Sequence, residues 1–122
     1  MQIETIGATR VLIYDGPVLA SEADAGEVMG ETFGTQIDMV ALPVELLAPE
    51  FFQLSTGLAG ALLQKLVTYG LRVAIVGDCS EMADQSQALT SFIAESNRGA
   101  QVWFVADDAA LAARLASVTG AS

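Results

Sequence analysis

The chain has no histidine. That removes Ser-His and Cys-His activation of a nucleophile and any metal site built on imidazole. It has one cysteine, Cys79, so no internal disulfide can form and a cytoplasmic address is the expectation. Basic residues are scarce: five Lys and Arg stand against fifteen Asp and Glu, giving a net charge of −10. A field of that sign repels phosphate backbones and anionic headgroups. Nucleic acid and membranes are therefore not expected as partners, whereas a basic protein or peptide is. No apolar run approaches the roughly 20 residues of a membrane span, and residues 1–5 carry neither a basic nor an apolar leader region. Gly-x-Gly-x-x-Gly and Walker spacings are missing, so a nucleotide cradle has no motif behind it. No cofactor, metal or catalytic residue is expected on these grounds.

What is present is an apolar chain. Hydrophobic residues make up 52 % while aromatics make up 7 %, so the core must be built largely from Val, Leu, Ile and Ala. At 122 residues one domain can bury about two-thirds of its unfolded surface. Residues 3–6 and 10–14 flank Gly7-Ala8 and predict a hairpin at a sheet edge. Ser21-Glu22-Ala23-Asp24 reads as a capping box with Asp in place of Glu, opening a helix that closes at Gly34. Residues 39–44 form a continuous apolar run. Pro49 suits a first turn, and a long central helix follows to Tyr69, with Gly70 just beyond its end.

Residues 72–76 read as a buried strand, and a loop rich in Ser, Asp and Gln leads to a helix over 86–96. Asn97-Arg98-Gly99 stops that helix, with Asn97 or Gly99 in the left-handed conformation. Residues 101–105 are the last strand. Asp107 or Asp108 then caps an Ala-rich helix with Leu111, Leu115 and Val118 on one face. The expected order is ββαβαβαβα in a single α/β domain over residues 1–122. Three non-alternating apolar strands, each followed by a helix, predict a mixed, mostly parallel sheet with right-handed crossovers and an antiparallel hairpin at its edge.

The central helix carries the least ordinary pattern. At about 100° per residue, Leu58, Ala59, Leu62, Leu66 and Tyr69 share a core face, with Leu63 at its margin. The opposite face is Gly57, Gly60, Ala61, Gln64 and Thr68. A solvated face normally carries Lys and Glu, and a mid-helix glycine costs about 1 kcal/mol relative to alanine. Two explanations stand: close packing against another element of the chain, or a docking surface for a partner or a second copy. At the helix start, Ser55 or Thr56 is expected to cap a backbone N–H, at an end where a phosphorylated hydroxyl is also tolerated.

Leu54-Ser55-Thr56-Gly57-Leu58 resembles the Asp-Ser-Ser-Gly-Leu segment that opens the second helix of STAS domains, the anti-sigma-factor-antagonist family, with Leu54 where that family carries Asp. The element order is STAS-like as well. The resemblance implies partner binding at this helix start and regulatory phosphorylation, which falls by position on Ser55. A denser similarity runs through Pro49-Glu50-Phe51-Phe52, Thr56-Gly57-Leu58-Ala59-Gly60, Gln64-Lys65, Tyr69, Ala74-Ile75-Val76-Gly77-Asp78, Ser91-Phe92-Ile93 and Glu95-Ser96-Asn97-Arg98-Gly99. On these residues the chain resembles an uncharacterised bacterial family, domain of unknown function four-one-eight-zero, which implies no established activity.

Asp15, Asp78 and Asp107 each follow a strand, and on neighbouring parallel strands they would crowd the carboxyl edge of the sheet, where open α/β sheets bind ligands. They read equally as turn formers or caps. Cys79 lies beside Asp78, whose charge would raise a thiol pKa, so it reads as inert. Trp103 reads as core. The first expectation is thus a non-enzymatic, STAS-like interaction or regulatory module working through Ser55, Thr56, Gly57, Gly60, Ala61, Gln64 and Thr68, with a protein partner or as a homodimer. The alternative is a small ligand-binding domain or enzyme using Asp15, Asp78 and Ser80.

Overall fold

Alternation fails in the strands because both faces of the sheet are covered. The structure, a computed structural model, describes residues 2–120, with side chains as far as Ser117; Val118 lies outside the described side chains. Strands β1 (Gln2–Ile6) and β2 (Thr9–Ile13) pair antiparallel in a register that sets Ile6 opposite Thr9, leaving Gly7-Ala8 as a two-residue loop. Strands β3 (Met39–Pro43), β4 (Arg72–Val76) and β5 (Val102–Val105) follow, and the sheet order is β1-β2-β3-β4-β5. The second hairpin strand is itself parallel to β3, so the parallel set runs from β2 to β5, one strand more than the three expected.

Crossovers of one hand, joining strands laid side by side in chain order, must put their helices on one face. Helices α1 (Ala25–Thr32), α2 (Leu58–Thr68) and α4 (Gln87–Arg98) lie there. Their Val28, Leu62, Leu66 and Leu89 pack with Leu12, Val40, Leu42, Val73, Ile75 and Phe104 of the sheet. Helix α5 (Asp108–Gly120) crosses to the other face, where Leu111 and Leu115 meet Val11, Met39, Ala41, Ala74 and Trp103. Each parallel strand therefore needs apolar residues at every position.

The helix ends differ from the sequence reading in four places. The first helix begins as a 3-10 turn, Glu22–Asp24, and the Asp24 carboxylate accepts from the N–H of Ala20 and Ser21 at 2.8 and 3.0 Å, the acidic half of the expected box. It closes at Thr32, not Gly34. The loop after β4 holds a short helix, α3 (Ser80–Asp84), before Ser86 caps α4 by accepting the Leu89 N–H at 3.1 Å. At the end of α4, Gly99 is extended and Asn97 is not left-handed, because the Asn97 side chain is bonded elsewhere.

Candidate functional site

Pro49 in a first turn and Ser55 or Thr56 as a cap place the start of the central helix within residues 49–56. The segment between β3 and α2 instead folds as three 3-10 turns, Val44–Leu46, Pro49–Phe52 and Leu54–Thr56. Phe51 and Phe52 are buried edge to face, with ring centroids 5.1 Å apart, and they anchor the middle turn to the core. Thr56 closes the last one: its hydroxyl donates toward the carbonyls of Glu50 and Gln53, both at 2.8 Å, and accepts the Leu58 N–H at 3.3 Å. Gly57 then takes φ +78°, a conformation strained for other L-residues, and turns the chain into α2.

Gly57 is accordingly the N-cap, and neither hydroxyl holds that position. Thr56 reaches the first helical N–H from one residue upstream. Ser55 is exposed, and its hydroxyl caps no N–H among the described residues.

Helix α2 buries Leu58, Ala59, Leu62, Leu63 and Leu66 as expected, whereas Tyr69 is 48 % exposed, because the helix ends before it. On the opposite face Gly60, Gln64 and Thr68 are exposed and Ala61 is partly so. Gln64 donates to the Thr68 hydroxyl at 3.0 Å. A Cβ added at Gly57 or Gly60 would meet no heavy atom within 4 Å. Packing by another element of the described chain is therefore not what the small residues serve. Glu22 and Glu50 line a depression shared with Gly57 and Ala61, and Glu22 pairs with Lys65 at 3.7 Å in solvent.

Beside the helix start runs a groove of about 480 Å³. One wall is Pro49, Phe52, Gln53, Leu54 and Ser55; the other is Met82, Gln85, Ser86 and Ala88 from α3 and α4. No local pattern marks it, since its second wall depends on α3, a helix of five residues.

The strand-end aspartates do not gather. Strand β3 lies between β2 and β4, which holds Asp15 apart from Asp78. Asp78 accepts the Ser80 N–H at 2.9 Å, and hydrogen bonds from the Ser80 hydroxyl and N–H hold its carboxyl below the usual range. Asp107, not Asp108, caps α5 by accepting the Ala110 N–H at 2.8 Å. Among the described residues no three Asp, Glu or Cys side chains are placed to hold a metal ion together. Cys79 is half-buried, and burial first, then the Asp78 charge, push its thiol pKa up.

At the amino edge the cluster read as a helix stop does more. Trp103 is buried and donates its indole N–H to the Gly99 carbonyl at 2.8 Å. The guanidinium groups of Arg114 and Arg72 stand 4.0 and 4.9 Å from its ring centroid. Asn97 Oδ1 accepts the Phe104 N–H at 2.7 Å and an Arg114 N–H at 3.3 Å, while its carbonyl accepts a second Arg114 N–H. Burial and the nearby Arg72 lower the Arg114 pKa from its usual value. Only the partners, separated by up to 42 residues of chain between Arg72 and Arg114, reveal this arrangement.

No helix among the described residues is long and apolar enough to cross a membrane. Residues 8–115 match the family model described as Domain of unknown function (DUF4180), and the chain belongs to that family. No curated protein and no solved structure matches the chain.

Proposed function

We propose that this DUF4180 domain is a non-enzymatic protein-interaction module that works through the start and outer face of α2. The supporting observation is the exposure of Gly60: a glycine inside a helix, with nothing within 4 Å of the place a Cβ would take. Such a residue costs about 1 kcal/mol relative to alanine, and no contact within the described chain offsets that cost. A surface that meets another backbone closely would give it a purpose, and Ala61, Gln64 and Thr68 extend the same uncharged face. The partner on this reading is a protein of basic character or a second copy. Ser55, exposed and uncommitted beside that face, is the hydroxyl on which phosphorylation would act. The Thr56 hydroxyl is already engaged with two carbonyls.

The test uses Gly60→Ala, Gly60→Arg and Ala61→Glu. Gly60→Ala should raise monomer stability by about 1 kcal/mol in chemical denaturation. Gly60→Arg and Ala61→Glu should stay folded while losing a partner captured from native lysate, or shifting from dimer to monomer in light scattering. Variants that keep every partner and the same oligomeric state would sink the proposal.

The rival reading, ligand binding or catalysis through Asp15, Asp78 and Ser80, has less behind it. The Asp78 carboxylate is taken up by Ser80, and β3 keeps Asp15 away from both.

A further inference from the structure

We propose that the groove between residues 49–55 and the α3–α4 pair docks an extended, basic segment of a partner protein through an apolar anchor. This rests on the interaction-module reading and names both a distinct working surface and the chemistry of its partner. Phe52, Leu54 and Met82 supply the apolar lining, and the methionine thioether can adapt its shape to an inserted side chain. The side chains of Gln53, Ser55 and Gln85 line the same groove and make no hydrogen bond among the described residues. They are free to bond the N–H and C=O groups of an extended peptide, whose alternate side chains would point inward. At about 480 Å³ the space lies within the range of about 300–1,000 Å³ usual for specific pockets.

Charge decides between occupants. The lining side chains carry no charge, and the segments that supply them, residues 49–55 and 80–88, contain no Lys or Arg but carry Glu50, Glu81 and Asp84, of which Glu81 and Asp84 are the chain neighbours of Met82 and Gln85. The helix and strand ends at the amino edge hold Arg10, Arg72 and Arg98 instead. A second copy would bring a net charge of −10 against −10, and nucleic acid would be repelled. A segment with Lys or Arg on either side of an aliphatic or aromatic residue is complementary to the apolar lining and to the acids of α3.

Three labelled nonapeptides of equal length serve as probes: basic with a central Leu-Phe pair, basic with Ser-Gly there, and acidic with Leu-Phe. Fluorescence anisotropy should show the first binding at least about tenfold more tightly than the other two, and weakening as salt is added. Ala88→Arg and Gln85→Lys, both at exposed positions, should each weaken it about tenfold or more while the fold is kept. Gln101→Ala, an exposed position at the amino edge, should leave it unchanged. Equal binding of all three peptides, or insensitivity to both groove variants, would overturn the proposal. Loss on Gly60→Arg alone would assign the peptide to the α2 face, overturning the groove but not the interaction module. A dimer dissolved by Gln85→Lys would give the groove to a second copy and overturn the basic-segment assignment.

Discussion

Tyr14 is the residue whose chemistry the fold alters most. It is buried, its hydroxyl donates to the Pro17 carbonyl at 2.6 Å, and it feels the charge of four acids. Burial first, then the charges of Glu31, Glu27, Asp24 and Asp15, raise its pKa to about 12. In the unfolded chain a tyrosine titrates near about 10, so above that pH the unfolded state gives up a proton the folded state keeps. This contribution to stability is complete below about pH 10 and is lost as pH rises through about 12. Denaturation midpoints measured across that window should fall for the wild type and fall less steeply for Tyr14→Phe. Gly77, at the end of β4, offers a steric test. It has φ +142°, and a Cβ there would come within 2.6 Å of Val44 Cγ2. Gly77→Ala should lower stability by about 1–3 kcal/mol in thermal melts. Adding Val44→Ala should recover the part due to the clash and leave the part due to the backbone. None of this was legible from composition, because Tyr14 and its acids, like Gly77 and Val44, are brought together only by the sheet.

At the scale of elements, the sequence reading succeeded where a local pattern carried the signal. The runs at β3 and β5 are apolar throughout, and β4 is so after Arg72, which is the pattern of doubly covered strands. The apolar stripe of α2 held for its leucines. It failed where distant contacts set the backbone. Residues 44–57 contain a good helix-opening proline, yet Phe51 and Phe52 turn into the core and Thr56 closes the turn on two carbonyls. Five residues in α3 are too few to show a period. Asn97-Arg98-Gly99 does end α4 at Arg98, but with no left-handed residue, and the bond from Asn97 to β5 lies beyond any local pattern. Strand β5 is an edge strand, and the Phe104 N–H that would otherwise be offered to another chain is taken by the Asn97 side chain. Asn97→Ala should lower stability by about 1–3 kcal/mol, as a part-buried donor loses its acceptor. Asn97→Asp keeps an acceptor beside Arg114 and should cost less. Melting curves followed by light scattering would separate the two, with the alanine variant also the more prone to associate.

At the scale of the whole molecule, the net charge and the acids after the strand ends were legible, but the basic residues at the opposite edge were not. Asp15, Asp78 and Asp107 follow the carboxyl ends of β2, β4 and β5, while Arg10 and Arg72 sit at the opposite strand ends. The parallel sheet thereby turns a scattered sequence into an acidic edge and a less acidic one. The strand order has a consequence of another kind. Every strand lies next to the one made just before it, so a chain emerging from the ribosome can extend its sheet one strand at a time without waiting for a distant segment. The exception is α5, which is made after all five strands and is the helix that covers Val11, Met39, Ala41, Ala74 and Trp103. During synthesis that face stays bare until this helix emerges. A chain stopped after Val105 should therefore pair its strands yet bind a hydrophobic dye and aggregate, and supplying residues 106–122 as a separate peptide should restore solubility. If the shortened chain stays monomeric and dye-free, the last helix is not what shelters the nascent sheet.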